Sequence, residues 1–340
     1  MLENSPHNKI SIIFFGSPEF ALPSLRSLHN SDRINITAIV SQPEKERGRG
    51  KKVRPTPVSE FAKEHNITLF EPISLRKADW RSLTPKENAD LELIRFLEFI
   101  KLEGPPDLSI VVAYGKLIPE DLICIAKHDF LNVHPSSLPR WRGSAPLQKT
   151  LISGDKESSV CIMRLTKGLD EGPIYLEENF TVPEDETLKE LHDRTSLLGA
   201  ELLLKTILEI KDKGIKPREQ GEEGVLYADK LLTKDTVIDW TKSSQEIHNL
   251  IRGLSPHPGA QTKLEIKIVK IIKSKSLNLD LKKGPGDISI DKKNKQILVA
   301  CGSGTALEVL QLKPEGKGVI NASDFINGLK ESENLRFQIS

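Results

Sequence analysis

The feature that most constrains this chain is a series of strand-length apolar runs, each ending in a turn signal, with helical periodicity between them. Lys9 to Phe15 runs into Gly16, Ile34 to Val40 into Ser41, Leu108 to Ala113 into Tyr114-Gly115, and Phe130 to Val133 into His134-Pro135. Ile67 to Phe70 and Val160 to Leu165 read as further strands. Between them, Glu19 to Leu28, Pro57 to His65 and Ala145 to Leu151 carry apolar residues at helical spacing, and Leu188 to Lys211 reads as a long helix. In the first turn, Ser17 is expected to cap a helix that starts at Pro18. Strands alternating with helices imply a parallel sheet covered on both faces. Such sheets bind ligands beyond the carboxyl ends of their strands, so a site is expected at the strand tails by Gly16, Gly115 and His134.

Two stretches break the rhythm. Leu75 to Pro106 is less regular and is read as an insertion, with an amphipathic helix over Leu91 to Leu102 and no functional assignment. Lys213 to Gly224 is rich in Gly, Lys and Glu and reads as a linker. After it, one helix (Ser244 to Gly253) is followed by short β-rich runs at Leu264 to Ile272, Gly286 to Ile290, Gln296 to Ala300 and Ala306 to Gln311. Short strands at regular spacing suggest a small barrel. The expected division is residues 1–212, a linker at 213–224, and a second domain at 225–340.

Several classes are set aside. No run approaches the roughly 18 apolar residues of a spanning helix, and the polar start up to Lys9 is no signal peptide, so a cytoplasmic protein without membrane contact is expected. Cys124, Cys161 and Cys301 form no Cys-x-x-Cys pair and are read as buried small hydrophobes; no metal is expected. Gly16-Ser-Pro-Glu-Phe-Ala21 keeps only the first glycine of a dinucleotide loop, so the backbone cannot approach a pyrophosphate closely. Net charge is +1, but its distribution is uneven. Glu44 to Arg54 holds six basic residues against two acidic, and Gln261 to Lys295 holds ten lysines against four acids. Two basic patches on a nearly neutral chain fit a polyanion bound over a limited surface.

The densest polar cluster is Asn132-Val-His134-Pro-Ser-Ser-Leu-Pro139-Arg-Trp-Arg-Gly143. Asn132 and His134 stand two apart at a strand end, so their side chains share a face. An amide and an imidazole together can hydrogen-bond a carbonyl oxygen as it becomes an oxyanion, and the imidazole can move protons near neutral pH. Asp170, in Lys167-Gly-Leu-Asp-Glu-Gly-Pro173, taken alone reads as a turn residue; paired with His134 it can accept protons or orient the ring.

Asn132-Val-His-Pro-Ser-Ser-Leu-Pro139 resembles the signature of the folate-dependent formyltransferases, and Gly168-Leu-Asp-Glu-Gly172 resembles their second signature, with its essential Asp. Ser137 stands where many members have Leu, a change of side chain rather than of loop backbone. The resemblance implies a Rossmann-like α/β catalytic domain followed by an OB-like barrel. It implies Asn132, His134 and Asp170 as catalytic residues, and Ser136, Ser137, Leu138 and Pro139 as the loop that holds the folate. Ser41 to Pro57 resembles the basic insertion loop of the members that formylate methionyl-tRNA, with Arg49 matching its key arginine and Arg47, Lys51 and Lys52 beside it. Ile238-Asp-Trp240 and Ile251 to Gly259 resemble the opening of their C-terminal domain. The loop's own chemistry agrees, since glycine freedom with guanidinium and ammonium groups suits phosphates and unpaired bases.

The resemblance therefore implies a monomeric enzyme that moves a formyl group from 10-formyltetrahydrofolate to the α-amino group of initiator methionyl-tRNA. Two other readings remain open at this point. One is a hydrolase or sugar formyltransferase on the same core, for which Arg47 to Lys52 has no obvious use. The other is a non-catalytic RNA-binding protein, which has no need of Asn132, His134 and Asp170 and offers few aromatics after Trp240 for base stacking, namely Phe325 and Phe337.

Overall fold

A computed structural model describes residues 9–47, 52–328 and 335–338. They form two compact units. The first contains the residues up to 142 with 159–179 and 193–226; the second contains 143–158, 180–192 and the residues from 227 onward.

The first unit is built on a sheet whose strands are β1 (Ile10–Gly16), β2 (Ile34–Val40), β3 (Leu69–Phe70), β4 (Leu108–Val112), β5 (Asp129–His134), β6 (Glu157–Arg164) and β7 (Ile174–Thr181). Their order is β7-β6-β5-β4-β1-β2-β3. Pairs β1·β2, β1·β4, β2·β3 and β4·β5 are parallel, as the strand–helix rhythm predicts. β6 departs from that expectation and runs antiparallel to β5, with Cys161 opposite His134. An antiparallel strand near the edge of an otherwise parallel sheet is common.

The helices follow local chemistry. Helix α1 (Leu22–His29) starts later than predicted, and Ser17 does not cap it; its hydroxyl instead donates to the Tyr114 carbonyl (3.3 Å). Helix α2 (Pro57–Glu64) has Pro57 in its first turn and Thr56 as N-cap, accepting from Ser59 N at 3.0 Å. Helix α3 (Leu91–Glu103) is capped by Asp90 and buries Leu93, Phe96, Leu97 and Ile100, an i, i+3, i+4, i+7 stripe.

That stripe gives the 75–106 segment, read from the sequence as an insertion, a place in the core. Leu75, Ala78, Trp80 and the α3 stripe form one core with Phe15, Phe70, Tyr114 and Phe130, so the segment is the layer covering this face of the sheet. Trp80 is 2% exposed, donates from Nε1 to the Leu75 carbonyl (3.0 Å) and meets Phe96 edge-on. Trp80→Ala is expected to cost about 3–5 kcal/mol, measured as a shift in denaturant midpoint. The opposite face is covered by the long helix α5 (Leu188–Lys213), where a Cβ added at Gly199 would lie 2.7 Å from Val133 Cγ1. Val133 faces that helix, so Asn132 and His134, one residue to either side, face away from it.

In the second unit, α4 (Pro146–Ser153) packs on α6 (Ser244–Gly253), and the approach is close enough that a Cβ at Gly253 would meet Ile152 Cγ1 at 2.7 Å. Helix α6 begins with a capping box between Ser243 and Glu246. The strands β8 (Ala260–Leu264), β9 (Lys267–Leu277), β10 (Ile288–Asp291), β11 (Gln296–Cys301) and β12 (Thr305–Pro314) form an antiparallel sheet in the order β8-β9-β12-β11-β10. Residues 335–338 bridge its two edges: Gln338 N donates to the Lys263 carbonyl (2.9 Å), Phe337 N to Gly286 (2.9 Å), and Ile288 N to Leu335 (2.9 Å). The predicted barrel is thereby closed by the end of the chain, which disposes of two open strand edges. Phe337 is buried and stacks on Trp240, with centroids 5.3 Å apart.

Cys161 and Cys301 are buried as expected, and burial pushes both thiols up to about 12. Cys124 is exposed, contrary to the reading of all three as buried, because it closes a one-turn helix (Glu120–Ile123) at the surface.

Candidate active site

The site forms at the carboxyl end of β5. Asn132 and His134 share a face there, with Asn132 opposite Val111 of β4. His134 is 3% exposed. Its Nε2 lies 3.1 Å from the Trp141 carbonyl oxygen. A carbonyl only accepts, so Nε2 carries a proton and donates. The other nitrogen, Nδ1, faces the Asp170 carboxylate at 3.6 Å, and the second carboxylate oxygen lies 3.4 Å from the Asn132 amide nitrogen. The three residues singled out by sequence are thus brought together, with Asp170 bridging the other two.

Two backbone conformations produce this convergence. Trp141 has φ 64° and Asp170 φ 50°, both left-handed. Such a conformation costs an L-residue roughly 1–2 kcal/mol, less for Asp, and a bulky residue there is unusual. Residues held this way cluster where structure serves chemistry. The Asp170 loop is also pinned at Gly172, where an added Cβ would lie 1.9 Å from the Arg164 carbonyl oxygen. Only glycine fits that approach.

The Ser136–Pro139 loop is bonded to itself and to the sheet. Ser136 is fully buried; its hydroxyl donates to the Arg140 carbonyl (2.7 Å), and its own carbonyl accepts from Cys161 Sγ (3.2 Å). Leu138 packs inward with Cys161, Met163 and Ile174. The side chains of Ser136 and Leu138 therefore hold the loop, while Ser137 and Pro139 are half-buried. The elevated Cys161 thiol under the loop is no nucleophile.

At the ends of β1 and β2, sequence reading missed a buried hydroxyl cluster. Ser41 Oγ and Thr56 Oγ1 lie 2.6 Å apart, Thr56 Oγ1 and Ser59 Oγ 2.8 Å, and Ser59 Oγ donates to Glu71 (2.8 Å). Ser41 and Thr56 bracket the basic loop and tie its two stems together. Beyond them, Lys45–Arg47 pairs antiparallel with Lys52–Arg54. Of the predicted loop cations, Arg49 and Lys51 lie outside the described residues, and Arg47 and Lys52 are described in backbone only. In the second unit, Trp240 and Phe337 are core residues and offer no ring to a base. Arg252 is likewise buried; its guanidinium donates to the Pro183 carbonyl (3.1 Å), and burial lowers it from the usual arginine range. Among the described residues no group of three or more His, Cys, Asp or Glu could hold a metal ion. No described helix is long and apolar enough to cross a membrane.

An amide, an imidazole and a carboxylate are thus gathered at the strand ends of a mostly parallel sheet, a set of groups able to stabilise an oxyanion and to move a proton. Residues 8–207 match the formyl transferase family and residues 230–330 the formyl transferase C-terminal domain, and the chain belongs to the formyl transferase family. The chain is 39% identical over 323 residues to the methionyl-tRNA formyltransferase of Rickettsia canadensis (strain McKiel), covering 94% of this chain and 97% of the relative. It is 39% identical over 319 residues to the methionyl-tRNA formyltransferase of Clostridium novyi (strain NT), with the same coverage. In fold it is similar to an N-formyltransferase from Helicobacter canadensis, solved in complex with folinic acid and dTDP-3-aminofucose, with a TM-score of 0.63 at 19% identity, covering 88% of this chain and 98% of that one.

Proposed function

We propose that this enzyme transfers the formyl group of 10-formyltetrahydrofolate to the α-amino group of initiator methionyl-tRNA, giving N-formylmethionyl-tRNA for translation initiation. The convergence of Asp170 on Asn132 Nδ2 and His134 Nδ1 carries the chemistry. The acceptor follows from the near full-length relationship to methionyl-tRNA formyltransferases. The enzyme works as a monomer in the cytoplasm and needs no metal. Residues 1–212 hold the reacting groups, 213–224 link them to the remainder, and 225–340 serve tRNA binding with the loop cations Arg47, Arg49, Lys51 and Lys52.

The folate lies across the strand ends against the Ser136–Pro139 loop, held there largely by backbone groups, since Ser136 and Leu138 point inward. The neutral α-amine attacks the formyl carbon, and the carbonyl oxygen becomes an oxyanion. Asn132 donates to it from Nδ2. His134 contributes through Nδ1, because Nε2 is committed to the Trp141 carbonyl. A proton shared between Nδ1 and the Asp170 carboxylate can serve the oxyanion while the second carboxylate oxygen accepts from the attacking amine. As the carbon–nitrogen bond to the folate breaks, the amine's proton is delivered to the departing folate nitrogen, so the reaction balances without a further donor.

The direct test is formyl transfer from 10-formyltetrahydrofolate to charged initiator methionyl-tRNA. Formylated tRNA supports the proposal. Folate turnover without it redirects the reading to a hydrolase or to another amine acceptor such as an amino sugar. Asn132→Ala is expected to raise the barrier by about 2.7–4 kcal/mol, read as a loss of single-turnover rate.

A further inference from the structure

The stretch that reads as a linker by composition lies against the active-site loops. Ile174 and Arg218 exchange backbone hydrogen bonds (2.7 and 2.8 Å), which fixes the stretch alongside β7. Two residues on, the Gln220 side-chain amide makes four hydrogen bonds. Its Nε2 donates to the carbonyl oxygens of Asp170 (2.9 Å) and Gly172 (2.7 Å). Its Oε1 accepts from Arg142 Nε (3.1 Å) and Nη2 (2.8 Å). Arg142 is held in turn by a bond from its backbone N to the Leu226 carbonyl (2.9 Å).

Four hydrogen bonds, to three residues, use the whole capacity of a carboxamide. They also fix its orientation, because a flipped amide would set oxygen against two carbonyls and NH₂ against a guanidinium. One of the carbonyls is that of Asp170 itself, the residue at φ 50°. We infer that Gln220, braced by Arg142, is a positioning residue that holds the Asp170 loop in its left-handed conformation and so aims the carboxylate at Asn132 and His134. The inference rests on the reading of Asp170 as the proton carrier. Without the two amide donors, the peptide units of 170 and 172 lose the bonds that offset an unfavourable backbone basin. The loop relaxes, and the contacts of 3.4 and 3.6 Å to Asn132 and His134 open.

The experiment compares the native enzyme with Gln220→Leu and Gln220→Glu. The leucine variant is expected to lose on the order of 10–100-fold in kcat, since a displacement near 1 Å can cost about 100-fold, while KM for either substrate stays nearly unchanged. The glutamate variant keeps an acceptor for Arg142 but has no donor for the two carbonyls, and is expected to lose a similar amount; native-like turnover in it would assign the role to the Arg142 bond instead. In an Asp170→Asn background, Gln220→Leu should cost less than about twofold more, because both act through one group. Losses that multiply would overturn the inference. A readout independent of turnover is the ¹⁵N shifts of the His134 ring, which report where its protons reside. They should move in Gln220→Leu, and unchanged shifts would likewise overturn the inference. If the native enzyme fails to formylate methionyl-tRNA, the functional reading falls by that result alone, and the ring shifts still test the placement of Asp170.

Discussion

Asp170→Asn is expected to slow single-turnover formyl transfer by on the order of 10²–10⁴-fold, the usual contribution of a positioned general acid–base group. The substitution is close to isosteric and asparagine tolerates the left-handed backbone, so the loop at φ 50° keeps its course. The Gln220 bonds are made to main-chain carbonyls and survive as well. What is lost is the ability to take a proton between the His134 ring and the attacking amine. The thermal midpoint should stay within a few degrees of native, which separates lost chemistry from lost fold. A variant within tenfold of native would show that solvent or His134 alone carries the proton, and would leave Asp170 a turn residue, the role its flanking glycines suggest in isolation.

The candidate site was legible in the sequence because its signals are local. Asn132 and His134 share a face through the two-residue period of a strand, and the run into Pro135 marks where that strand ends. The groups that orient them were not legible. The Trp141 carbonyl that fixes the His134 proton is a backbone atom, and its direction comes from a φ of 64° that no composition predicts. Gln220 is one polar residue in a Gly-, Lys- and Glu-rich stretch, and only the folded chain brings it to Asp170 and Arg142.

The fold divides along the same line. Strands buried on both faces, such as Leu108–Val112, announce themselves as unbroken apolar runs. The edge strand Ile174–Thr181 does not, because Glu177, Glu178 and Asn179 interrupt its apolar pattern. The 75–106 stretch looked irregular because its apolar residues are shared among a 3-10 turn, a two-residue hairpin and α3, although together they bury Leu75, Trp80 and Phe96 in one core. Barrel closure by 335–338 is a pairing of the chain end with strands some 50–75 residues earlier, which no local pattern encodes.

Binding of methionyl-tRNA is expected to weaken steeply with salt, by on the order of 10³–10⁵ between 50 and 200 mM, if six to ten phosphates are neutralised. The cations available for this are Arg47, Arg49, Lys51 and Lys52 in the basic loop and the exposed Lys263, Lys267, Lys273 and Lys275 of the second unit. Each phosphate contact contributes about 0.7–0.9 to the slope of log K against log salt, so replacing the four loop cations by glutamine should flatten that slope by roughly three. Folate affinity should be unaffected, because the Ser136–Pro139 loop is bonded to itself and to the sheet, and the Asp170 loop to Arg164 and Gln220, without the basic loop. The pinning of the loop stems by Ser41 and Thr56 implies that its cations act from a fixed base, so the loss should appear in tRNA affinity and in the placement of the aminoacyl end together. KM for tRNA would rise and kcat would fall, while turnover with a small free amine in place of the tRNA would not change. An unchanged salt slope in the four-fold variant would remove the loop from tRNA binding and leave the lysines of the second unit to carry it. A slope near zero in the native enzyme would remove both patches from tRNA binding.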